Sequence, residues 1–292
     1  MRAQQPGSEV IRRNLLNKQL VYLVLSLMIL ALFPARTVAW GNDGHRIIAQ
    51  IATERLSNDT RRAINELLRK GETLESISTW ADQTKLQRPD TRAWHFVDIP
   101  LGDSNYDYGK DCGTGKTCII EAIQQQTKIL RNSNNSPSDR ADALRFLVHL
   151  LGDLHQPFHV TTNTNPNDQG ANLVKVKSFN GRITSLHALW DDDIIKYALG
   201  QSKLSVPDYA AQLSKKAWAN YVSTRGSVTD WALETHRLAW GVYVPSGNYF
   251  MIADGKLWIL SDNYFQQNRP VVEHQLINAG IRLAKTLNDI FG

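Results

Sequence analysis

From Ile47 to Ile290, apolar side chains recur at the three-to-four-residue spacing of α-helices, and one short stretch alone breaks that period. Ile47, Ile48, Ile51, Ala52 and Leu56 share one helical face, and a second helix is predicted over residues 60–68. Further helices are predicted over 118–130, 138–151, 186–199, 207–223, 229–239 and 270–290, with Pro137-Ser138-Asp139 and Pro207-Asp208 as helix entries. The exception is 173–186, LVKVKSFNGRITSL, where apolar residues alternate on both sides of Asn180-Gly181, a β-hairpin signal. The long polar loop before it, 161–172, is the kind of segment on which a helical scaffold carries binding groups. No repeat or low-complexity linker interrupts 40–292, which reads as a single all-α domain with one small β-hairpin.

The first 39 residues stand apart. Arg2, Arg12, Arg13 and Lys18 precede the apolar run 20–33, and Pro34 and the small-residue end Thr37-Val38-Ala39 follow it. That is the layout of a cleaved signal peptide, and the run is short of the ~20 residues a permanent membrane anchor needs. A secreted protein, extracellular or periplasmic, is therefore expected, beginning at Trp40 and without stable membrane association after cleavage. The leader also carries +4 of the formal +5 charge, leaving the mature chain near +1. Such a chain, without any Lys/Arg run, lacks the electrostatic footprint of a duplex-DNA binder, so affinity for phosphate has to be local. The two cysteines, Cys112 and Cys118 in DCGTGKTC, read in an exported chain as one small disulfide loop, with a pair of free thiols as the alternative.

Five of the eight histidines lie at spacings that set them beside carboxylates. His149 and Asp153 are four apart in the helix ALRFLVHLLGD, and His187 and Asp191 repeat the arrangement in LHALWDDD. Each pair leaves one helix face about a turn apart, which alone suits a surface ion pair as well as a metal. The two pairs together, with His159 just after Pro157, favour metal, and imidazole with carboxylate suits zinc in a hydrolytic site. A second group lies upstream: Trp40 and His45 in WGNDGH, Asp82 in WADQTK and His95 in WHFVDIP. Cleavage before Trp40 frees an α-amine of pKa ~7.7–8.0, a metal ligand once deprotonated.

These stretches, WGNDGH at 40–45, WADQTK at 80–85, WHFVDIP at 94–100, HLLGDLHQPFH at 149–159, NDQGAN at 167–172 and LHALWD at 186–191, resemble the zinc-dependent S1/P1 nuclease family, in order and across most of the chain. The resemblance implies three Zn²⁺. One takes Asp82, His95, His149 and Asp153; a second takes the Trp40 amine and carbonyl, His45 and the shared Asp153; the third takes His159, His187 and Asp191. His155 is excluded as a ligand because, two residues past Asp153 on a regular helix, it faces away. His236 and His274, outside every matched stretch, are expected to be surface or partly buried histidines.

The resemblance further implies in-line attack on phosphorus by water activated between two zinc ions. The third zinc stabilises the leaving 3′ oxygen, and a 5′-phosphorylated product is released. Asp82 and Asp153 shape that centre, and Lys85 supplies a point charge beside the transition state. Phe96 stacks on a base and Asp98 accepts from its polar edge, while Asn172 is a further base contact. One departure bears on Asn172: the family usually has two glycines before it, whereas this chain has Gly170-Ala171, and the Ala171 methyl narrows the pocket or disfavours a positive φ. Single-stranded DNA and RNA and 3′-nucleotides are the implied substrates of a monomeric enzyme. A zinc phospholipase C resembles the family in fold and metal cluster, but Phe96 and Asp98 suit a base rather than a lipid head group. An inactive secreted zinc-binding protein is the other alternative, and no ligand position is substituted.

Overall fold

The computed structural model describes residues 40–165, 167–219, 224–243 and 256–292. The leader and the end of the helix expected over 207–223 lie outside the described residues. Among the described residues eleven α-helices succeed one another: α1 (Asn42–Thr53), α2 (Asn58–Leu67), α3 (Leu74–Ile77), α4 (Trp80–Thr84), α5 (Ile119–Arg131), α6 (Pro137–Asp153), α7 (Leu186–Ala188), α8 (Ile194–Ser202), α9 (Val206–Ala219), α10 (Val228–Tyr243) and α11 (Asp262–Phe291).

α6 organises the rest. Ser136 caps it by accepting the Asp139 N–H, Pro137 sits where a missing N–H costs nothing, and the helix runs to Asp153. Its residues from Ala143 to Asp153 are all buried, so this part of the helix has no solvent face, and α1, α4, α5 and α11 pack around it. The polar residues His149 and Asp153 therefore lie deep in the fold. α1 and α11 cross closely, because Gly280 offers no Cβ where one would meet Ile51 Cγ2 at 2.6 Å and the Ile48 carbonyl at 3.1 Å.

The hairpin is present as β1 (Lys175–Lys177) and β2 (Ile183–Ser185), with Gly181 at φ +82° in the turn. A third strand, β3 (Leu257–Ile259), pairs in parallel with β1 and was not expected. Two helices differ from the sequence reading. The last starts at Asp262 rather than Pro270, which lies inside it. Proline there removes a backbone hydrogen bond at a cost of ~3 kcal/mol, against which the added turns bury Tyr264, Phe265 and Asn268. The helix expected over 186–199 is interrupted by a π-turn, Leu189–Asp193, between α7 and α8. Cys112 and Cys118 form the expected disulfide.

The glycines give a paired test. Gly280→Val is expected to destabilise by ~1–3 kcal/mol through overpacking against α1. In α8, Gly200→Ala, with nothing within 4 Å of its added methyl, is expected to stabilise by ~0.5–1 kcal/mol. Denaturant unfolding of both variants checks the sign of each change.

Candidate metal centre

Asp153, fully buried at the last turn of α6, divides its carboxylate between opposite neighbours. Its Oδ1 lies 3.2 Å from His45 Nε2, on α1. Its Oδ2 lies 2.8 Å from His95 Nδ1 and 3.2 Å from His149 Nε2. Asp82, on α4, stands on the second side, with Oδ1 3.5 Å from His149 Nε2, 3.8 Å from His95 Nδ1 and 2.5 Å from Lys85 Nζ. The His45 and His149 rings stack with centroids 4.0 Å apart. The separation into two ligand sets is less clean than the sequence implied, because His45 also comes within ligand reach of Asp82 and His149. A third group gathers His159, His187 and Asp191: His187 Nε2 lies 3.0 Å from His159 Nε2 and 3.5 Å from Asp191 Oδ2.

Backbone carbonyls orient three of the rings. His149 Nδ1 bonds to the Ser78 carbonyl at 2.7 Å, His159 Nδ1 to that of His95 at 2.7 Å and His187 Nδ1 to that of Gly170 at 2.6 Å. Each bond holds the proton on Nδ1 and leaves the Nε2 lone pair facing the cluster, as metal-ligating histidines require. His45 Nε2, Asp82 Oδ2, His149 Nε2, Asp153 Oδ1 and Asp191 Oδ2 are buried without a hydrogen-bond partner. So many orphaned lone pairs converging in one place fit an ion, since burying them unpaired is costly.

The electrostatics agree. Burial pushes the His45 pKa down, with His149 adding to the effect, and takes His95 to about 4 against the pull of Asp153. Burial also disfavours the charged form of His149, but Asp153 and Asp82 outweigh it and push the ring up to about 10. His149 in turn holds both carboxyls well below the ordinary carboxylate range in spite of their burial. A proton on His149 thus fills the position a cation would take, and the two compete.

The N-terminal residues clamp the two groups together. Trp40 Nε1 donates to the Gly152 carbonyl at 2.9 Å, and the Gly41 N–H donates to the Asp191 carbonyl at 2.6 Å. Gly152 leaves room for His45, because a Cβ there would meet its Nδ1 at 2.8 Å.

Beyond His95 the chain is extended and tied to the segment after α6, the Val97 N–H donating to the His159 carbonyl at 2.8 Å and Ile99 accepting from the Thr162 N–H at 3.0 Å. Alternation then buries Val97 and Ile99 on the side of His95 and turns Phe96 and Asp98 outward on the other. Phe96 is 39% exposed, an open aromatic surface. The protein around the Asp98 carboxyl, with Asp168 and Asp111, raises its pKa above the ordinary value although the residue is exposed.

A family model described as S1/P1 Nuclease matches residues 40–292. The chain belongs to the S1/P1 nuclease family. It is 33% identical over 283 residues to Endonuclease 3 of Arabidopsis thaliana, covering 92% of this chain and 94% of that protein. To Nuclease S1 of Aspergillus oryzae it is 31% identical over 279 residues, covering 86% and 92%. To Nuclease P1 of Penicillium citrinum it is 29% identical over 275 residues, covering 87% and 98%.

Against the family's usual pair of glycines, Ala171 does take a positive φ, +60°, as do Gln169 at +54° and Gly170 at +60°. The Ala171 methyl is buried, so it does not disallow the turn. Asn172 caps this loop by donating to the Gln169 carbonyl at 2.9 Å, and its amide lies 3.3 Å from His187 Nδ1. His155 lies off the centre for a reason other than helical phase: α6 has already ended, and the buried ring accepts from Arg282 at 3.0 Å. His236 is buried, against expectation, between the Thr161 hydroxyl and the Asp103 carbonyl, whereas His274 is exposed. Gly152 and the carbonyls of Ser78 and Gly170 shape the nuclease centre without any side-chain signal. Gln156, inside HLLGDLHQPFH, is a further buried polar residue at the third group.

The Gly152 contact predicts that Gly152→Ala forces the His45 ring aside. Metal analysis of the purified variant is expected to find less bound metal than in the wild type, with the helical circular dichroism unchanged. Wild-type metal content would show that His45 does not need this space.

Proposed function

We propose that this chain is a secreted, zinc-dependent endonuclease that hydrolyses phosphodiester bonds of single-stranded DNA and RNA to 5′-phosphorylated products, with 3′-nucleotidase activity. The observation that carries the reading is the Asp153 carboxylate, one oxygen toward His45 and the other toward His95 and His149. That geometry suits a carboxylate shared between two ions.

In this reading Asp82, His95, His149 and Asp153 would hold one zinc, and Trp40, His45 and Asp153 a second. His159, His187 and Asp191 would hold the third. Zinc in such sites supplies Lewis acidity, which activates water near neutral pH and neutralises charge on a phosphodiester. The protein's own groups do the rest. Lys85, its Nζ 2.5 Å from Asp82 Oδ1, offers a cationic contact to a phosphoryl oxygen at the edge of the centre. Phe96 offers a face on which a base stacks, and Asp98 an acceptor for its polar edge. Asn172 lies beside His187, where a base contact is compatible with its capping bond. A duplex keeps its bases inside the stack and cannot present one to Phe96, which favours single strands. The names of the relatives, nucleases and endonucleases, support the nuclease reading over a phospholipase. The leader and the match beginning at Trp40 support secretion with cleavage there, and the chain is taken to act as a monomer.

The test compares the wild type and Phe96→Ala on single-stranded DNA, duplex DNA and a small base-free phosphodiester. The wild type is expected to cleave single strands in preference and to stop when zinc is chelated. Phe96→Ala is expected to weaken single-strand binding by ~1–3 kcal/mol, with zinc content and base-free hydrolysis little changed. Equal losses on both substrates would mean that Phe96 packs His95 instead of a base, and activity after exhaustive chelation would overturn the metal reading.

The role of the Trp40 amine gives a separate expectation. Protein retaining Ala39 has an amide in place of that amine, and its activity should fall severely relative to protein beginning at Trp40, the start being verified by mass spectrometry. Full activity with Ala39 present would remove the amine from the centre.

A further inference from the structure

Gln156 lies in the turn that leaves α6, with its N–H bonded to the Asp153 carbonyl at 2.9 Å, and its side chain is fully buried. Both ends of its amide are engaged. Oε1 accepts the Phe158 N–H at 2.5 Å, and Nε2 donates to Asp191 Oδ1 at 2.6 Å. The Phe158 bond fixes the amide's direction, because the reverse orientation would set Oε1 against a carboxylate and the NH₂ against a backbone donor.

Asp191 is correspondingly constrained. Its main chain accepts from Gly41, its Oδ1 is taken by Gln156, and its buried Oδ2 has no hydrogen-bond partner. Oδ2 lies 3.5 Å from His187 Nε2, while Oδ1 lies 3.7 Å from His159 Nε2. The two Nε2 atoms, 3.0 Å apart and each on a ring whose Nδ1 is engaged by a carbonyl, turn their lone pairs to a common region. Among the described residues, the hydrogen bond from Gln156 is a shorter contact to the Asp191 carboxylate than those of either histidine.

We propose that Gln156 is a positioning residue for the third metal: by occupying Oδ1 of Asp191 it directs Oδ2 to the point where the His159 and His187 lone pairs converge. The inference rests on the reading of His159, His187 and Asp191 as an ion site. Because Gln156 follows Asp153 within one turn, the same backbone segment that ends on the shared carboxylate also sets the third site. Outer partners of this kind, when removed, typically weaken metal affinity by ~10–100-fold.

The test measures bound zinc per chain and its resistance to a competing chelator for the wild type, Gln156→Glu, Gln156→Leu and His187→Ala. Glu keeps the shape but turns a donor into a charge facing Asp191, and Leu removes the donor at similar volume. Both are expected to lose one ion ~10–100-fold more readily than the wild type, to keep the others at wild-type resistance and to retain the wild-type circular dichroism. Wild-type zinc content and chelator resistance in both variants would overturn the proposal, as would loss of all ions together, which marks a general packing role. If His187→Ala holds as much zinc as the wild type, the third site itself falls, and the role of Gln156 with it.

Discussion

A carboxylate removed from water stays charged only when cationic or hydrogen-bonding partners surround it, and Asp153, with no exposed surface, meets that condition through three histidines. Those histidines come from three parts of the chain: His45 on α1, His95 after α4, and His149 one turn earlier on α6. The packing of α1 and α4 against α6 is therefore tied to the charge at its end. α6 is buried from Ala143 onward although it brings His149 and Asp153 inside, and Gly152 is part of the same arrangement through the space it leaves for His45.

Rigidity around this point comes mostly from main-chain atoms. Ser78, His95 and Gly170 lend carbonyls to His149, His159 and His187, so the loops that carry those carbonyls decide which ring nitrogen is free. The loop holding Gly170 takes three successive left-handed residues, and Asp168 anchors it by accepting from the Tyr243 hydroxyl at 2.5 Å and the Asn163 N–H at 2.9 Å. Trp40 and Gly41 tie the start of the domain to the backbone beside both His/Asp groups, through the carbonyls of Gly152 and Asp191.

Side-chain periodicity made much of this legible. The His149–Asp153 spacing is a helical fact, His187 and Asp191 still meet although a π-turn separates them, and Asn180-Gly181 fixed a hairpin because few other dipeptides accept that turn. What stayed hidden has physical reasons. β3 is three residues long, too short to alternate, and gains its place from pairing with β1. Pro270 reads locally as a helix start, but burial of Tyr264 and Phe265 extends α11 through it. Nothing in LHALWDDD announces a π-turn, and no sequence signal names the carbonyl that will orient a histidine. Ala171 shows the limit of rules about φ: the Asp168 anchor and the burial of its methyl carry a backbone shape that local preference disfavours.

In the proposed centre one carboxylate, that of Asp153, would serve two ions. The most direct test is zinc analysis of Asp153→Asn beside Asp191→Asn, each still folded by circular dichroism. Asp153→Asn is expected to lose two ions, one from each side of the shared carboxylate, and Asp191→Asn only one. An Asp153→Asn protein that keeps the full wild-type zinc content would contradict that sharing.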